Sequence, residues 1–226
     1  MSTTLFTMEN LLLTQAQSDI ITFLEKNDEL LFNERDLQMH LAVFLKETMN
    51  YDDVDIEYYV PYEELKEYIW KNELRIDVIV RKGDEYLPIE LKYKTKQIKK
   101  EILRFGEKIP NIEVLKNQSA QDLGMYDFWK DVRRIELVRN RFPVVRHGLA
   151  IFVTNDTQYL NQSRPTSNNL LLNMYEGKHG KLKHWKDKES TCCKTHPNFE
   201  VENEYAIHWH DTMYESVPFH YCIIEV

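Results

Sequence analysis

The chain has 226 residues, of which 42% are hydrophobic, and it carries 29 Lys and Arg against 37 Asp and Glu, for a net charge of −8. This apolar content can form one sizeable core, and only six Gly and seven Pro argue against a long disordered linker. No run of about 20 apolar residues is present, and the first residues lack the charged and then apolar pattern of a signal peptide. We therefore expect a soluble, cytoplasmic protein with no membrane partner.

Charge is divided unevenly along the chain. Residues 92–194 carry 21 Lys and Arg against 11 Asp and Glu, whereas the segments before and after them are acidic. A uniformly acidic protein would repel a phosphate backbone, but a basic middle segment suits one. An exposed, solvated segment is the alternative interpretation, since runs of like charge are often only that.

Hydrophobic periodicity predicts helices followed by strands in the N-terminal half. The predicted helices lie at about 8–25 and 34–48, and the predicted strands at 54–60, 74–80 and 86–92. The last two strands are joined by a turn that contains Gly83, and a tight hairpin needs such a glycine.

A crossover and a second half follow. Residues 112–141 have the pattern of a crossover with an apolar side, and residues 148–154 form a nearly continuous apolar run typical of a buried, parallel strand. Residues 155–200 are rich in turn formers and lysine, so we expect a basic insertion there, and residues 201–226 are expected to form closing strands. One α/β domain with its core at about residues 30–155 is predicted.

Two acids and a lysine are predicted to converge on the hairpin. Glu90 and Lys92 are two residues apart on one strand, so their side chains project from the same face. Asp77 lies on the neighbouring strand within an apolar run, where a carboxylate is not buried unless it is paired or binds a metal. Two carboxylates at one sheet edge can hold Mg²⁺, and a lysine beside the ion can orient water or place positive charge on a reacting phosphate. The alternative is a structural ion-pair cluster on a solvated strand face.

These three residues resemble the signature of the PD-(D/E)xK nucleases, which is an acid, a short spacer and then acid-x-Lys. Asp77, Glu90 and Lys92 match it one by one, although Ile76 stands where the family often has proline. The resemblance implies a restriction-endonuclease-like three-layer core, with a mixed β-sheet flanked by helices in the order αβββαβ. In this chain the core would carry N-terminal helices and a C-terminal β extension.

The resemblance also implies an activity and a set of roles. Asp77, Glu90 and the backbone carbonyl of Leu91 would bind Mg²⁺, for which Mn²⁺ can substitute, and Lys92 would position the attacking water. Glu34, from the helix before the first core strand, would assist them as a further ligand, although an acid in the first turn of a helix also suits the helix dipole. The implied function is hydrolysis of phosphodiester bonds, with DNA favoured over RNA, in defence against or processing of foreign DNA.

Several features of that function stay open. A module on the same fold that binds nucleic acid or protein without cutting is the alternative, because fold does not prove activity. Many similar nucleases form homodimers, but nothing in the sequence identifies an interface.

The helix after the acid-x-Lys motif offers further candidates. In similar nucleases a Gln or Lys from this helix often points toward the catalytic centre, and Gln118 or Gln121 could fill that role, with Gln121 preferred. Asp127, Asp131 and Arg134 have the spacing of a helix-surface network. The basic residues of this stretch are expected to face mostly outward, namely Lys130, Arg133, Arg134, Arg139 and Arg141.

Lysines after the site and in the insertion are candidate contacts to nucleic acid. They are Lys94, Lys96, Lys99, Lys100, Lys181 and Lys183, and Trp185 is the aromatic residue that would stack on a base. A mobile surface loop is the alternative for the insertion.

Cysteine and histidine near the C-terminus raise the question of zinc. The candidates are Cys192, Cys193, His196, His208 and His210. Adjacent cysteines are poor paired ligands and the Cys-x-x-Cys spacing is absent, so exposed or core histidines and buried thiols are the favoured interpretation.

Overall fold

A computed structural model of the protein describes residues 10–226. In chain order its elements are α1 (Leu11–Lys26), α2 (Glu34–Glu47), β1 (Asp53–Val60), β2 (Leu74–Lys82), β3 (Glu85–Lys94), β4 (Ile98–Arg104), β5 (Glu107–Leu115), α3 (Gln121–Arg141), β6 (Leu149–Thr154), β7 (Gly177–His179), β8 (Leu182–Lys183), α4 (Thr191–Thr195), β9 (Phe199–Glu200), β10 (Tyr205–Ile207), β11 (His210–Tyr214) and β12 (Val217–Glu225). Short 3₁₀ helices lie at Tyr62–Glu64, Thr157–Leu160 and Leu170–Leu172. None of the helices within this range is both long and apolar enough to cross a membrane.

A six-stranded mixed sheet in the order β1-β2-β3-β6-β12-β11 organises the fold. Only β3 and β6 run parallel, and the other neighbours are antiparallel. The parallel pair requires a crossover, and α3 supplies it. The β2–β3 hairpin closes at the predicted turn, where Gly83 takes a left-handed φ of 58°.

Both faces of the sheet are covered, because alternate residues of its central strands pack against different helices. On β6, Leu149, Ile151 and Val153 belong to the core shared with α1 and α2. Ala150 and Phe152 belong to the core shared with α3 and the C-terminal half. A strand buried on both faces has the continuous apolar sequence that β6 shows.

The predicted architecture is confirmed at the level of a mixed α/β protein whose mixed sheet is flanked by helices. The predicted strands at 54–60, 74–80, 86–92 and 148–154 are present within one to three residues, as is the helix at 34–48. Residues 8 and 9 of the first predicted helix lie outside the described range. The C-terminal strands β11 and β12 join the main sheet beside β6.

The connection between β3 and β6 differs from the prediction. The helix begins at Gln121, and residues 98–115 form a separate two-stranded sheet, β4–β5. Its basic sequence carries apolar residues that pack on the α1–α2 side of the core, including Ile98, Ile102 and Ile112. The predicted crossover at 112–141 therefore starts too early, and no strand was predicted at 98–111 because the charged residues hide this pattern.

The segment 155–200 also differs from the expected insertion. Leu172, Met174 and Phe199 are buried against α3. The segment therefore forms part of the core on that face of the sheet.

Candidate active site

The candidate site lies where β2 and β3 separate. Their ladder ends at the pair Val78–Ile89, so Asp77 and Glu90 are the first residues beyond it. On β2, Leu74 and Ile76 pack with α3, whereas Val78 and Val80 pack with α1 and α2. A strictly alternating strand would keep these four side chains on one face, so β2 changes face at Asp77.

Backbone distortion marks the same level of the sheet on β1. Glu57 lies between the paired residues Ile56 and Tyr58 but has no pair of its own on β2, and its φ is 52°. A left-handed φ is unusual for a residue other than Gly, Asn or Asp. Glu57 lies opposite Asp77, the residue at which the side chains of β2 change face.

Asp77 bridges the gap between the two strands with its side chain. Its Oδ2 atom accepts a hydrogen bond of 2.7 Å from the backbone N–H of Leu91. Burial raises the pKa of Asp77 to about 6, against the opposing effects of this hydrogen bond and of the Lys92 ammonium.

Glu90 is the most buried acid of the predicted set, with 3% of its surface exposed. Its Oε1 atom has no hydrogen-bond partner among residues 10–226. Burial raises the pKa of Glu90 well above its ordinary value, and the nearby carboxylates of Asp131 and Asp77 add to the increase. A buried carboxyl oxygen without a donor is costly, and a bound cation is one of the few groups that relieve that cost.

The Lys92 ammonium lies between carboxylates from α2 and α3. Its Nζ atom is 3.0 Å from Asp131 Oδ2 on α3 and 3.7 Å from Glu34 Oε1 at the start of α2. Burial by itself lowers the pKa of Lys92, but the surrounding carboxylates outweigh burial and raise it. The carboxylates thus favour the ammonium form of Lys92, which suits a hydrogen-bond donor.

Glu34 reaches the site because α2 begins beside β3. The side chain of Asn33 caps the helix by accepting a hydrogen bond from the backbone N–H of Asp36, which fixes where the first turn starts. Glu34 Oε2 then accepts a hydrogen bond of 2.9 Å from the backbone N–H of Tyr93. The structure thus brings together Asp77, Glu90, Lys92 and Glu34.

Asp131 and Arg134 were expected on the helix surface, and that expectation is wrong. Asp131 is 2% exposed, and Arg134 is largely buried, with its Nη1 atom 3.3 Å from Asp131 Oδ1. The outward placement expected for Arg133 is also wrong, because it is buried among Glu67, Glu136 and Glu202. Helix α3 is covered by the sheet on one side and the C-terminal half on the other, so little of it is free surface.

Sequence reasoning missed Asp131 and Arg134 as site residues, although the apolar neighbours of Asp131 gave a partial signal. Phe128, Trp129, Val132 and Ile135 lie near Asp131 in the sequence, and a carboxylate among apolar residues is unusual. Lys130, Arg133 and Arg134 lie equally near, so the same stretch also fits a surface acid.

Gln38 is a further missed residue. It lies one helical turn after Glu34 on α2 and is buried. Its Nε2 atom donates to the backbone carbonyl of Asp77 at 2.7 Å and to Glu57 Oε1 at 3.2 Å. Gln38 therefore supports the distorted segment that carries Asp77.

Gln121 does not reach this cluster. Its Nε2 atom donates to Asp156 Oδ2 at 3.0 Å, and Lys96 Nζ lies 3.0 Å from Asp156 Oδ1. Gln121 and Lys96 therefore belong to a separate, internally satisfied network at the end of β6, which corrects the predicted role of Gln121.

Two of the predicted nucleic-acid contacts are wrong. Lys183 has no exposed surface, and its Nζ atom lies 3.2 Å from the centre of the Trp129 ring. Trp185 is buried, stacks on Tyr126 and donates a hydrogen bond to the carbonyl of His196. Neither side chain is available to a ligand.

The remaining predicted contacts have different surroundings. Lys99 and Lys181 are exposed, Lys94 is half-buried, and Lys100 is paired with Glu215. Their contact with nucleic acid stays a prediction.

The cysteines and histidines considered for zinc do not converge. His208 contacts Glu176, His210 stacks on Tyr221, and His196 lies against Tyr126 and Trp185. Throughout residues 10–226, no group of three or more His, Cys, Asp and Glu side chains is placed to hold a metal ion. Any cation at the candidate site would thus depend on two carboxylates together with backbone oxygen or water.

Comparison of the chain with protein-family models, with curated proteins and with solved structures finds no significant match. The resemblance to the PD-(D/E)xK nucleases therefore rests on the motif residues of the sequence alone.

Proposed function

We propose that this chain is a divalent-metal-dependent nuclease of the PD-(D/E)xK kind, which hydrolyses phosphodiester bonds with DNA as the favoured polymer. The observation that carries the proposal is the buried Glu90 carboxyl group, whose Oε1 atom finds no donor in the described chain although it lies beside Asp77 and Lys92. Buried polar atoms are almost always hydrogen-bonded, so each exception needs a physical explanation, and a bound ion is one.

The charge of the cluster fits a divalent cation. Four carboxylates, those of Asp77, Glu90, Asp131 and Glu34, exceed the cations of Lys92 and Arg134 by two charges when all are ionised. Protonation of Glu90 removes one of these two charges in the absence of a cation, in line with its raised pKa.

Asp77, Glu90 and the backbone carbonyl of Leu91 would hold Mg²⁺ or Mn²⁺, with Glu34 on the more exposed side of the cluster. A bound ion of this type lowers the pKa of its water and neutralises charge that develops on the phosphate. The protein keeps one oxygen of Asp77 engaged by the Leu91 N–H group, which orients this carboxylate.

The groups around Lys92 indicate its role in the proposed hydrolysis. As an ammonium, the form that the nearby carboxylates favour, it can donate a hydrogen bond to an attacking water or to a phosphate oxygen, and it would stabilise negative charge in the transition state.

Cleavage of supercoiled plasmid in Mg²⁺ or Mn²⁺ tests the proposal. We expect wild type to nick or linearise the plasmid and Lys92→Ala to be slower by at least about 100-fold, because a positioned charge at the reacting centre has effects of that size. Lys26→Ala, which changes an exposed lysine on α1, is the matched control and should cut like wild type. Equal rates for Lys92→Ala and wild type would overturn the assignment of the site.

A calorimetric titration with Mn²⁺ tests the metal separately. Wild type should bind the ion, and Asp77→Asn should lose most of that affinity while keeping an oxygen that can accept the Leu91 N–H hydrogen bond. A wild-type protein that binds neither Mg²⁺ nor Mn²⁺ would exclude the metal-dependent mechanism.

A non-catalytic binding module is the second candidate function. It is favoured by the lack of any three-residue ligand set within residues 10–226 and by the ion pairs that already occupy Lys92. Binding of DNA with no metal affinity and no cleavage would identify this alternative.

A further inference from the structure

Helix α3 contributes an acid to the site that the acid-x-Lys motif does not include. Asp131 is 2% exposed, and its two oxygens face two different cations. Oδ2 lies 3.0 Å from Lys92 Nζ, and Oδ1 lies 3.3 Å from Arg134 Nη1. The Arg134 side chain extends the chain of contacts to the Tyr68 hydroxyl at 3.4 Å.

Lys92 has two competing partners in this arrangement. Glu34 lies 3.7 Å from its ammonium, on the more exposed side, and Asp131 lies closer, on the buried side. A lysine has four rotatable bonds and one compact charge, so its position depends on which carboxylate attracts it more strongly. Asp131 has the shorter contact and is the less solvated acid, so it determines where the ammonium rests.

We propose that Asp131 is a positioning residue, which holds the Lys92 ammonium beside the Asp77–Glu90 acid pair, and that Arg134 fixes Asp131 in turn. This inference rests on the proposed nuclease function. Without Asp131 the ammonium would move toward Glu34, and the backbone of the acid pair would stay where it is.

Single-turnover cleavage of plasmid DNA, at Mn²⁺ concentrations that saturate each variant, tests the role. Asp131→Asn should slow cleavage by about 10- to 100-fold, the size expected for a reacting group displaced by roughly 1 Å. DNA binding in Ca²⁺ should stay within about threefold of wild type, because Asp131 is buried away from the polymer. An unchanged cleavage rate for Asp131→Asn would overturn the inference.

Matched variants separate positioning from a general structural effect. Asp131→Glu keeps the charge and should recover part of the lost rate. Asp127→Asn removes a half-exposed acid of α3, which pairs with Lys130 one turn away, and should cut like wild type. In a Lys92→Ala background, Asp131→Asn should cause no further loss, because Asp131 acts through Lys92. A further loss in that background would overturn the role.

Thermal unfolding tests the pair without any cleavage. Asp131→Asn leaves the Lys92 ammonium poorly paired and should lower Tm, and adding Lys92→Met should cost less than the sum of the two single losses. Strictly additive Tm losses would show that the two residues are not coupled, and would overturn the inference even in an active enzyme. If wild type cuts no DNA but the losses are non-additive, the proposed function fails and the catalytic role of Asp131 fails with it, while the ion pair stands.

Discussion

Lys183 is a buried lysine whose surroundings oppose its charge. Burial lowers the pKa of its amine to about 7, and the nearest carboxylate influence, from Glu136, offsets only part of that effect. The centre of the Trp129 ring lies 3.2 Å from Nζ, and the face of this ring also favours the ammonium form of Lys183. No hydrogen-bond partner for this amine exists in the described part of the chain.

This position predicts a pH dependence of stability. An unfolded lysine has a pKa near 10.4, so between about pH 7 and 10.4 the unfolded chain binds more protons than the folded one, and the free energy of unfolding rises with pH. Lys183 should contribute at most about 1.4 kcal/mol per pH unit in this window. Urea unfolding of Lys183→Met should show a higher free energy of unfolding than wild type at pH 7, by about 1 kcal/mol or more, and a smaller slope with pH.

Lys181→Met is the control for that series, because Lys181 is exposed two residues away. In this variant the free energy of unfolding should change with pH as it does in wild type. Parallel pH profiles for wild type and Lys183→Met would contradict the prediction.

At the level of single residues, the sequence identified an acid only where its neighbours made it conspicuous. Asp77 and Glu90 stood in apolar strands, and the structure places them close to each other and to Lys92. Asp131 and Arg134 were missed because their spacing also fits a surface ion pair, and only the covering of α3 from both sides distinguishes the two cases. That covering depends on contacts far apart in sequence, which local spacing does not contain.

Packing between α3 and the 3₁₀ helix Thr157–Leu160 gives a prediction at the level of elements. A Cβ atom at Gly124 would lie 2.4 Å from the hydroxyl of Tyr159. Alanine favours a helix by about 1 kcal/mol over glycine, but overpacking costs about 1–3 kcal/mol. Gly124→Ala should therefore lower the free energy of unfolding, as measured in urea.

The Tyr159 hydroxyl supplies the control for this contact. It is buried and accepts or donates no hydrogen bond within residues 10–226, so Tyr159→Phe alone should be neutral or slightly stabilising. In combination, Tyr159→Phe should recover part of the loss caused by Gly124→Ala. A combined loss equal to that of Gly124→Ala alone would show that the clash lies elsewhere.

Helices and strands were predictable where the spacing of apolar residues followed a single pattern, either that of a helix or that of a strand. The strands β2, β3 and β6 have clear apolar runs, and α2 has both a cap and a helical period. The β4–β5 hairpin was missed because its lysines and glutamates mask a pattern in which only some apolar residues reach the core. The few apolar residues of this hairpin pack against the core formed with α1 and α2, and those contacts are not local in sequence.

For the whole molecule, the C-terminal half is a structural requirement of the core. Strand β6 lies between β3 and β12, and buried residues of the segment 155–226 cover α3. A chain that ends at residue 155 would leave β6 without one neighbour and α3 without one of its packing partners. We predict that this fragment shows no cooperative unfolding transition by circular dichroism, whereas the full chain does.

Trimming the β4–β5 hairpin is the control for that truncation. Residues 103–108 form its tip, and Phe105 there is fully exposed. Replacing these six residues with Asn-Gly should leave the cooperative transition intact, because a two-residue turn of this type closes a hairpin. A folded 1–155 fragment would instead locate an independent core in the first two-thirds of the chain.

Where β2 separates from β3, the carboxylates of the candidate site also stabilise the backbone. Beyond Ile89, the backbone N–H groups of Leu91 and Tyr93 are bound by the carboxylates of Asp77 and Glu34. Replacing either acid with alanine therefore also removes a backbone hydrogen bond, and a loss of 1–2 kcal/mol can change the amount of a protein in a cell several-fold. Under the proposed nuclease function, such a variant would be both less active and less abundant in a living cell, so its phenotype would be more severe than its intrinsic rate suggests.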